Sequence, residues 1–455
     1  MWDTIAAIAT GEGLGAIGII RVSGADALTV AERVFVEGSG RRVGSFENRK
    51  LYYGALTDTS GGVLDHCLCT VSRAPHSYTG EDTAEFQCHG SPVLLRAALD
   101  VLFHAGARQA LAGEFTKRAF LNGKLDLVQA EAVIDLIHAE TAQAAKNAAG
   151  QLGGAVSGKT DAVYDGLADI LAHFHAELDY PDEDIEPFYL AEYRSALAGH
   201  LADLDALLAT CRRGQILTRG VLTAILGCPN VGKSSLLNAL LGYERAIVTD
   251  LPGTTRDTLE ERVLVGDTLL RLTDTAGMRE TADTVERIGV ERAVRAGGEA
   301  ELVLAVFDGA RALEDADLQV IETAKGAPQA IAVISKTDLP QVLDETQIRA
   351  QFDHVVHLSA TTGAGLEALE EMVSTLYADA SIPAGQVLTN ERQIDAARRA
   401  AAHLREVLEA LDLGVTPDAV LTELEGAMTA LGELTGRTVR EDVVSRIFER
   451  FCVGK

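Results

Sequence analysis

The segment Gly227-Cys228-Pro229-Asn230-Val231-Gly232-Lys233-Ser234 constrains this chain more than any other feature. It fits the pattern G-x-x-x-x-G-K-[ST], follows the apolar run Val221 to Leu226, and opens the helix-like stretch Ser235-Leu236-Leu237-Asn238-Ala239-Leu240. A glycine-rich turn between strand and helix aims backbone N–H groups and a positive helix end at an anion, so it cradles phosphate. In that setting Lys233 reaches the β and γ oxygens of a nucleotide, and Ser234 ligates magnesium. The surrounding residues agree. Strand candidates lie at 221–226, 260–265, 268–274, 301–307, 329–335 and 354–358, with helices between several of them. Over residues 219–378 this alternation predicts an α/β unit, a mostly parallel sheet covered on both faces.

Four motifs follow in order: Gly253-Thr254-Thr255-Arg256-Asp257, Asp274-Thr275-Ala276-Gly277, Ser335-Lys336-Thr337-Asp338 and Ser359-Ala360. Thr255 is placed to complete the magnesium shell when a γ-phosphate is present. Asp274 can hold magnesium through water, and Gly277 can offer its N–H to the γ-phosphate. The Asp338 carboxylate can accept from both N1–H and N2–H₂ of guanine, which selects GTP over ATP. The expected nucleotide set is Asn230 to Ser235, Thr249-Asp250-Leu251-Pro252-Gly253-Thr254-Thr255, Asp274 to Gly277, Ser335, Lys336, Asp338, Ser359 and Ala360. Two positions depart from the usual pattern. Ser335 stands where the base-reading motif begins with asparagine; its hydroxyl has shorter reach, so guanine selectivity rests on Asp338 with weaker affinity. Met278 stands where many GTPases place a glutamine that orients the attacking water. A thioether has no donor for that task, so hydrolysis is either very slow or uses other machinery.

The rest of the chain sets the context. Its 455 residues leave room for about three domains, and 47% hydrophobic with 24% charged residues suits globular cores. A formal net charge of −27 argues against a general nucleic-acid coat, so any RNA contact needs a local basic patch. Arg212-Arg213, Arg398-Arg399 and the Arg437, Arg440, Arg446 group are candidates, each equally an exposed helix face. The six cysteines include no C-x-x-C pair, which fits a reducing compartment. Asp3 near the start and the lack of any apolar run of about 20 residues leave a cytosolic location as the expectation.

Residues 1–120 read as an α+β module, with strands at 18–22, 67–71 and 84–88 and a helix from Pro92 to His104. From Lys124 to about Arg213 the texture is helical, as in Leu125, Val128, Ala132 and Leu136, with an acidic bend at 179–184. Helical texture returns at 390–412 and from 417 to the end. The expected layout is therefore 1–120, a helical domain split into 121–218 and 379–455, and the α/β unit at 219–378 inserted within it.

Further segments carry a resemblance. Asp3-Thr4-Ile5-Ala6-Ala7-Ile8-Ala9-Thr10, Pro75-His76-Ser77-Tyr78-Thr79-Gly80-Glu81-Asp82, Gly113-Glu114-Phe115-Thr116-Lys117-Arg118-Ala119-Phe120-Leu121-Asn122 and Phe451-Cys452-Val453-Gly454-Lys455 are similar to markers of the MnmE or TrmE family of tRNA modification GTPases. The resemblance spans essentially the whole chain. It implies an N-terminal folate-binding and dimerising domain, a discontinuous helical domain and a Ras-like P-loop GTPase domain. It implies a potassium ion beside the phosphates, held by Asn230, Thr249, Leu251 and Thr254, with magnesium on Ser234 and Thr255. The catalytic carboxylate carried over is Glu286, which would orient water; read alone, it is a first-turn helix acid. Arg21, Glu81, Lys124 and Lys455 would bind formyl- or methylene-tetrahydrofolate, although each alone is an ordinary surface charge. Cys452 is either a nucleophile or part of a tail that closes the folate pocket. The implied partners are a second copy of the chain, tRNA, and the FAD-binding MnmG (GidA) protein in a heterotetramer. The implied product is an aminomethyl or carboxymethylaminomethyl group at C5 of the wobble uridine. Gly11-x-Gly13-x-Gly15 lacks the dinucleotide spacing, so flavin belongs on the partner. A ribosome-assembly GTPase shares the phosphate loop, but it would add a basic RNA-binding domain that has no pattern here.

Overall fold

The computed structural model describes residues 3–11, 13–179, 190–243, 261–273, 298–377, 383–413, 417–438, 444, 447–449 and 451–454. They divide into two compact units, Met1–Ile134 with Ser157–Ala198 and Arg399–Lys455, and Asp135–Val156 with Gly199–Arg398.

In the first unit seven strands form one sheet: β1 (Ile5–Ile8), β2 (Ile17–Ser23), β3 (Phe35–Glu37), β4 (Tyr52–Thr57), β5 (Val63–Ser72), β6 (Thr83–His89) and β7 (Arg108–Gln109). Their order is β3-β4-β5-β6-β2-β1-β7, and every pairing is antiparallel except β1 with β7. Successive residues of a strand face opposite sides, so Cys67, Cys69 and Val71 of β5 and Ala84, Phe86 and Cys88 of β6 are buried together. The helices Ala27–Val34 and Pro92–His104 cover that face with Val30, Val34, Leu95 and Leu102. Each large side chain removed from water in this way contributes roughly 1.5–3 kcal/mol. Helix Pro92–His104 starts where expected because Ser91 caps it and Pro92 opens its first turn.

Two helical expectations need correction. Helix Leu127–Ile137 begins after Leu125, and Leu136 is 37% exposed, so the buried face is Leu127, Val128, Ala130 and Ala132. The last long helix, Pro417–Thr435, does not run to the end. Gly436 takes φ +91°, and a Cβ there would lie 2.8 Å from the Phe120 ring, so the chain leaves the helix through a residue only glycine can supply. Val444, Phe448 and Phe451 then pack with Ala130, and Val453 pairs with Ala112 in an antiparallel bridge. The expected acidic bend lies, from 180 onward, outside the described residues.

In the second unit β8 (Val221–Leu226), β9 (Glu261–Val265), β10 (Thr268–Leu272), β11 (Leu302–Asp308), β12 (Gln329–Ser335) and β13 (His354–His357) form a six-stranded sheet in the order β13-β12-β11-β8-β10-β9. All neighbours are parallel except the β9–β10 hairpin. The strands β8, β11 and β12 are nearly continuous apolar runs because both faces are covered. Helices Lys233–Tyr243 and Leu366–Tyr377 supply Leu236, Leu240, Leu369 and Val373 to one face. Helices Asp315–Lys325 and Glu345–Arg349 supply Ile321, Ala324 and Ile348 to the other.

The chain returning from this sheet is clamped along 385–388. Asn147 Oδ1 accepts from the amides of Gly385 (2.9 Å) and Val387 (3.3 Å), and its Nδ2 donates to the Val387 carbonyl (3.1 Å). The Leu388 amide donates to Thr210 Oγ1 (3.0 Å). At Gly214 a Cβ would fall 1.7 Å from the Leu388 carbonyl oxygen, so helix Cys211–Arg219 can lie against this strap only with glycine there.

Candidate functional site

The phosphate loop leaves β8 at the carboxyl edge of the second sheet, where ligands bind in open α/β sheets. A Cβ at Gly227 would sit 2.6 Å from the Val306 carbonyl oxygen, so the turn crosses β11 only because position 227 is glycine. Asn230 takes φ +63° and Gly232 φ +107° before helix Lys233–Tyr243 begins. Asparagine tolerates the left-handed region better than most residues. Lys233 Nζ donates to the carbonyls of Gly227 (2.8 Å) and Cys228 (2.7 Å), folding the side chain over its own loop. Burial pushes its ammonium pKa below the ordinary lysine value. Asn230, Ser234 and Ser235 are exposed, Val231 is buried, and the Asn230 side chain has no hydrogen-bond partner among the described residues.

The base-side motif leaves the same edge from β12. Ser335 is buried; its hydroxyl lies 2.5 Å from the Val231 carbonyl and 3.0 Å from that of Phe307, two acceptors for one hydrogen. The residue read as a short base-reader is thus turned toward the phosphate loop. Lys336 takes φ +57° and donates to Asp308 Oδ2 at 2.6 Å. Burial would raise the Asp308 pKa, but that bond and the Ala310 amide hold it below the usual carboxylate value. Asp338 is exposed, and its Oδ1 accepts from Ser359 Oγ at 2.7 Å. The Thr362 amide donates to the same hydroxyl at 3.3 Å, and Ala360 follows half-buried. The structure therefore gathers Asn230–Ser235, Ser335, Lys336, Asp338, Ser359 and Ala360 at one sheet edge.

One supporting group escaped the sequence reading. Asp317, almost fully buried, accepts from Arg311 (2.7 and 3.0 Å) and from the Glu314 amide (3.0 Å). Burial and a hydrogen bond with Asp317 push the Cys228 thiol pKa up to about 11, so the second residue of the phosphate loop rests on this carboxylate. The available signal was the helix-start spacing Glu314 to Asp317, which forms a capping box.

Thr249, Asp250, Leu251, Pro252, Gly253, Thr254, Thr255, Asp274, Thr275, Ala276, Gly277, Met278 and Glu286 lie outside the described residues, as do Arg440, Arg446 and Lys455.

A second polar cluster lies in the first unit. Arg118, 1% exposed, donates to Glu81 (3.0 Å), Glu114 (2.9 Å), Asp3 Oδ1 (3.0 Å) and the Asp3 carbonyl (2.7 Å). Glu81 Oε2 also accepts from Ser23 Oγ at 2.8 Å. Arg21 pairs across the sheet with Glu85 at 2.7 Å, and its guanidinium lies over the rings of Tyr78 (5.2 Å) and Phe115 (5.6 Å). Tyr78 in turn bonds Thr116 at 2.9 Å, and Lys124 passes Gly80, where a Cβ would meet its Cγ at 3.3 Å. The loop 77–82 thereby links Arg21, Glu81 and Lys124. Cys452 is exposed, and its carbonyl accepts from the Gly113 amide at 3.3 Å. Arg118 was not singled out in the sequence, because burial of an arginine depends on partners 115 residues away.

A family model described as GTP-binding protein TrmE N-terminus matches residues 4–124, and one described as MnmE helical domain matches 127–452. A tRNA modification GTPase MnmE of Symbiobacterium thermophilum is 44% identical over 100% of this chain and 99% of its own length. One from Roseiflexus sp. (strain RS-1) is 44% identical over the same shares. Among solved structures, the G domain of the T. maritima FeoB iron transporter matches 34% of this chain and 98% of its own, at 29% identity and a TM-score of 0.26.

Proposed function

The chain belongs to the MnmE family of tRNA modification GTPases, and on that premise we propose that it hydrolyses GTP in a potassium-activated cycle that serves modification of the tRNA wobble uridine. With the FAD-binding MnmG (GidA) protein it adds an aminomethyl or carboxymethylaminomethyl group at C5. The observation that carries the GTPase reading is one sheet edge holding both a phosphate loop with Lys233 and a carboxylate, Asp338, fixed by Ser359. Lys233 and the loop amides bind phosphate, and Asp338 accepts the guanine donors.

Potassium fits this chain at Asn230. Its left-handed φ accompanies an exposed amide with no other hydrogen-bond partner among the described residues, and an amide oxygen suits a hard cation. Thr249, Leu251 and Thr254 complete that set. The Ser234 hydroxyl, exposed in the first helical turn, suits magnesium with Thr255. A bound potassium would supply positive charge beside the phosphates, and orienting the water, which Met278 cannot do, falls to another group. Glu286 orients the attacking water.

We assign the loop 77–82 cluster to a one-carbon folate. Arg118 and Ser23 hold the Glu81 carboxylate, which keeps acceptor capacity for pterin N–H groups, while Arg21, Lys124 and Lys455 offer cations to glutamyl carboxylates. The chain acts as a homodimer, with the domain layout 1–120, 121–218 with 379–455, and 219–378. Mass analysis of wobble uridines from cells lacking the protein tests the reading. Loss of the C5 modification is the expected result; an unchanged nucleoside profile contradicts it.

A further inference from the structure

The helices Glu391–Leu413 and Pro417–Thr435 carry a polar cluster that the nucleotide chemistry does not use. His403 and Glu406 stand three residues apart and share a face of the first helix. Glu423 of the second helix brings Oε2 to 2.6 Å from His403 Nδ1. One donor atom from each of these residues lies within 4.8 Å of the other two. Elsewhere on the same helices carboxylates are matched to arginines, Asp412 to Arg194 at 2.7 Å and Glu433 to Arg399 at 2.5 Å. Among the described residues Glu406 and Glu423 have no lysine or arginine partner, so two carboxylates face one imidazole.

Gly426 adds an independent feature. A Cβ at that position would lie 2.8 Å from His403 Cε1 and 2.9 Å from Nδ1. Glycine weakens a helix interior, yet here its missing side chain is what lets the imidazole seat against the second helix beside Glu423.

We propose that His403, Glu406 and Glu423 form a binding site for a divalent transition cation of the zinc class that clasps the two helices. Imidazole with two carboxylates is a zinc-type donor set, whereas magnesium prefers oxygen and water alone. Zinc–ligand bonds of about 2.0–2.2 Å place tetrahedral donors roughly 3.4 Å apart. The 2.6 Å hydrogen bond therefore opens slightly as the exposed Glu406 swings in. The two carboxylates balance the 2+ charge, and a water fills the fourth position. Metal binding at Nδ1 takes the place of the hydrogen bond to Glu423, and the single proton of the neutral imidazole sits on Nε2. Histidine and carboxylate three residues apart on one helix, with a carboxylate from its neighbour, use the spacing of the Glu-x-x-His metal motif of helical bundles in the reverse order.

The test uses chelator-treated full-length protein titrated calorimetrically with Zn²⁺ in excess Mg²⁺. The variants are His403→Gln, which retains a donor toward Glu423, and Glu406→Gln, which alters an exposed ligand. Wild type is expected to bind one more equivalent than His403→Gln, to gain thermal stability on zinc addition that this variant lacks, and to bind at least ten-fold tighter than Glu406→Gln. Cobalt at the site should give visible bands without the near-ultraviolet charge transfer of thiolate ligation. Equal zinc uptake by wild type and His403→Gln overturns the site, as does a thiolate band from the high-affinity equivalent.

Discussion

At the scale of single residues, base recognition turns on where hydrogen atoms point. Asp338 has one oxygen committed to Ser359 and is otherwise exposed, so its remaining acceptor capacity is free for a base edge. Replacing it with asparagine leaves one acceptor for N1–H and sets an N–H against the guanine N2 amino group. We expect Asp338→Asn to weaken GDP binding about 100-fold, since hydrogen bonds to a charged group contribute roughly 1.5–3 kcal/mol each. Xanthine nucleotides, which carry a carbonyl oxygen in place of that amino group, should bind better than to wild type; paired calorimetric titrations of GDP and XDP check both. Ser335 behaves differently. Its hydroxyl is buried between the Val231 and Phe307 carbonyls, so it holds the phosphate loop to the sheet. A longer amide must displace one of those carbonyls. Ser335→Asn should therefore give no gain in GDP affinity, and a clear tightening would show that the serine limits base recognition.

At the scale of elements, two polar devices fix loops that no periodicity announces. The strap at 385–388 depends on Asn147, whose amide satisfies two buried N–H groups and one carbonyl. Asn147→Ala should cost about 1–3 kcal/mol for each group left unpaired, read as a lower thermal midpoint with faster amide exchange at Gly385 and Val387. In the N-terminal sheet Arg118 binds three carboxylates. A hydrogen bond from Arg108 holds the Asp3 pKa down; burial would raise Glu114, but Arg108, the Leu111 amide and Arg118 lower it overall. Groups with depressed folded pKa values stabilise above their unfolded pKa, about 4, and lose that contribution as pH falls through the lower folded value. The thermal midpoint should therefore drop below about pH 4, and Arg118→Met should flatten that dependence while destabilising the fold at neutral pH by about 3–5 kcal/mol. Circular dichroism melts across pH check it. The regular elements were legible: β8, β12 and helix Pro92–His104 match their expected bounds, because apolar runs and a Ser-Pro start are local signals. The end of helix Pro417–Thr435, the 385–388 strap and the burial of Arg118 were not, because each depends on distant residues such as Phe120, Asn147 and Asp3.

At the scale of the whole molecule, full-length kinship joins two chemistries in one chain: the folate assignment rests on the first unit's sheet, the nucleotide assignment on the second's. The net charge of −27 means that tRNA must be met by a local basic face rather than by the general surface. In the nucleotide site Met278 has no group to orient water, and the potassium proposed at Asn230 would supply the charge that speeds hydrolysis. The direct measurement is GTP turnover by the purified full-length protein in KCl and in NaCl at matched ionic strength and saturating Mg²⁺. A single transition-state electrostatic contact contributes about 100-fold, so turnover in potassium should exceed that in sodium by at least about ten-fold. Equal rates in the two salts would contradict it.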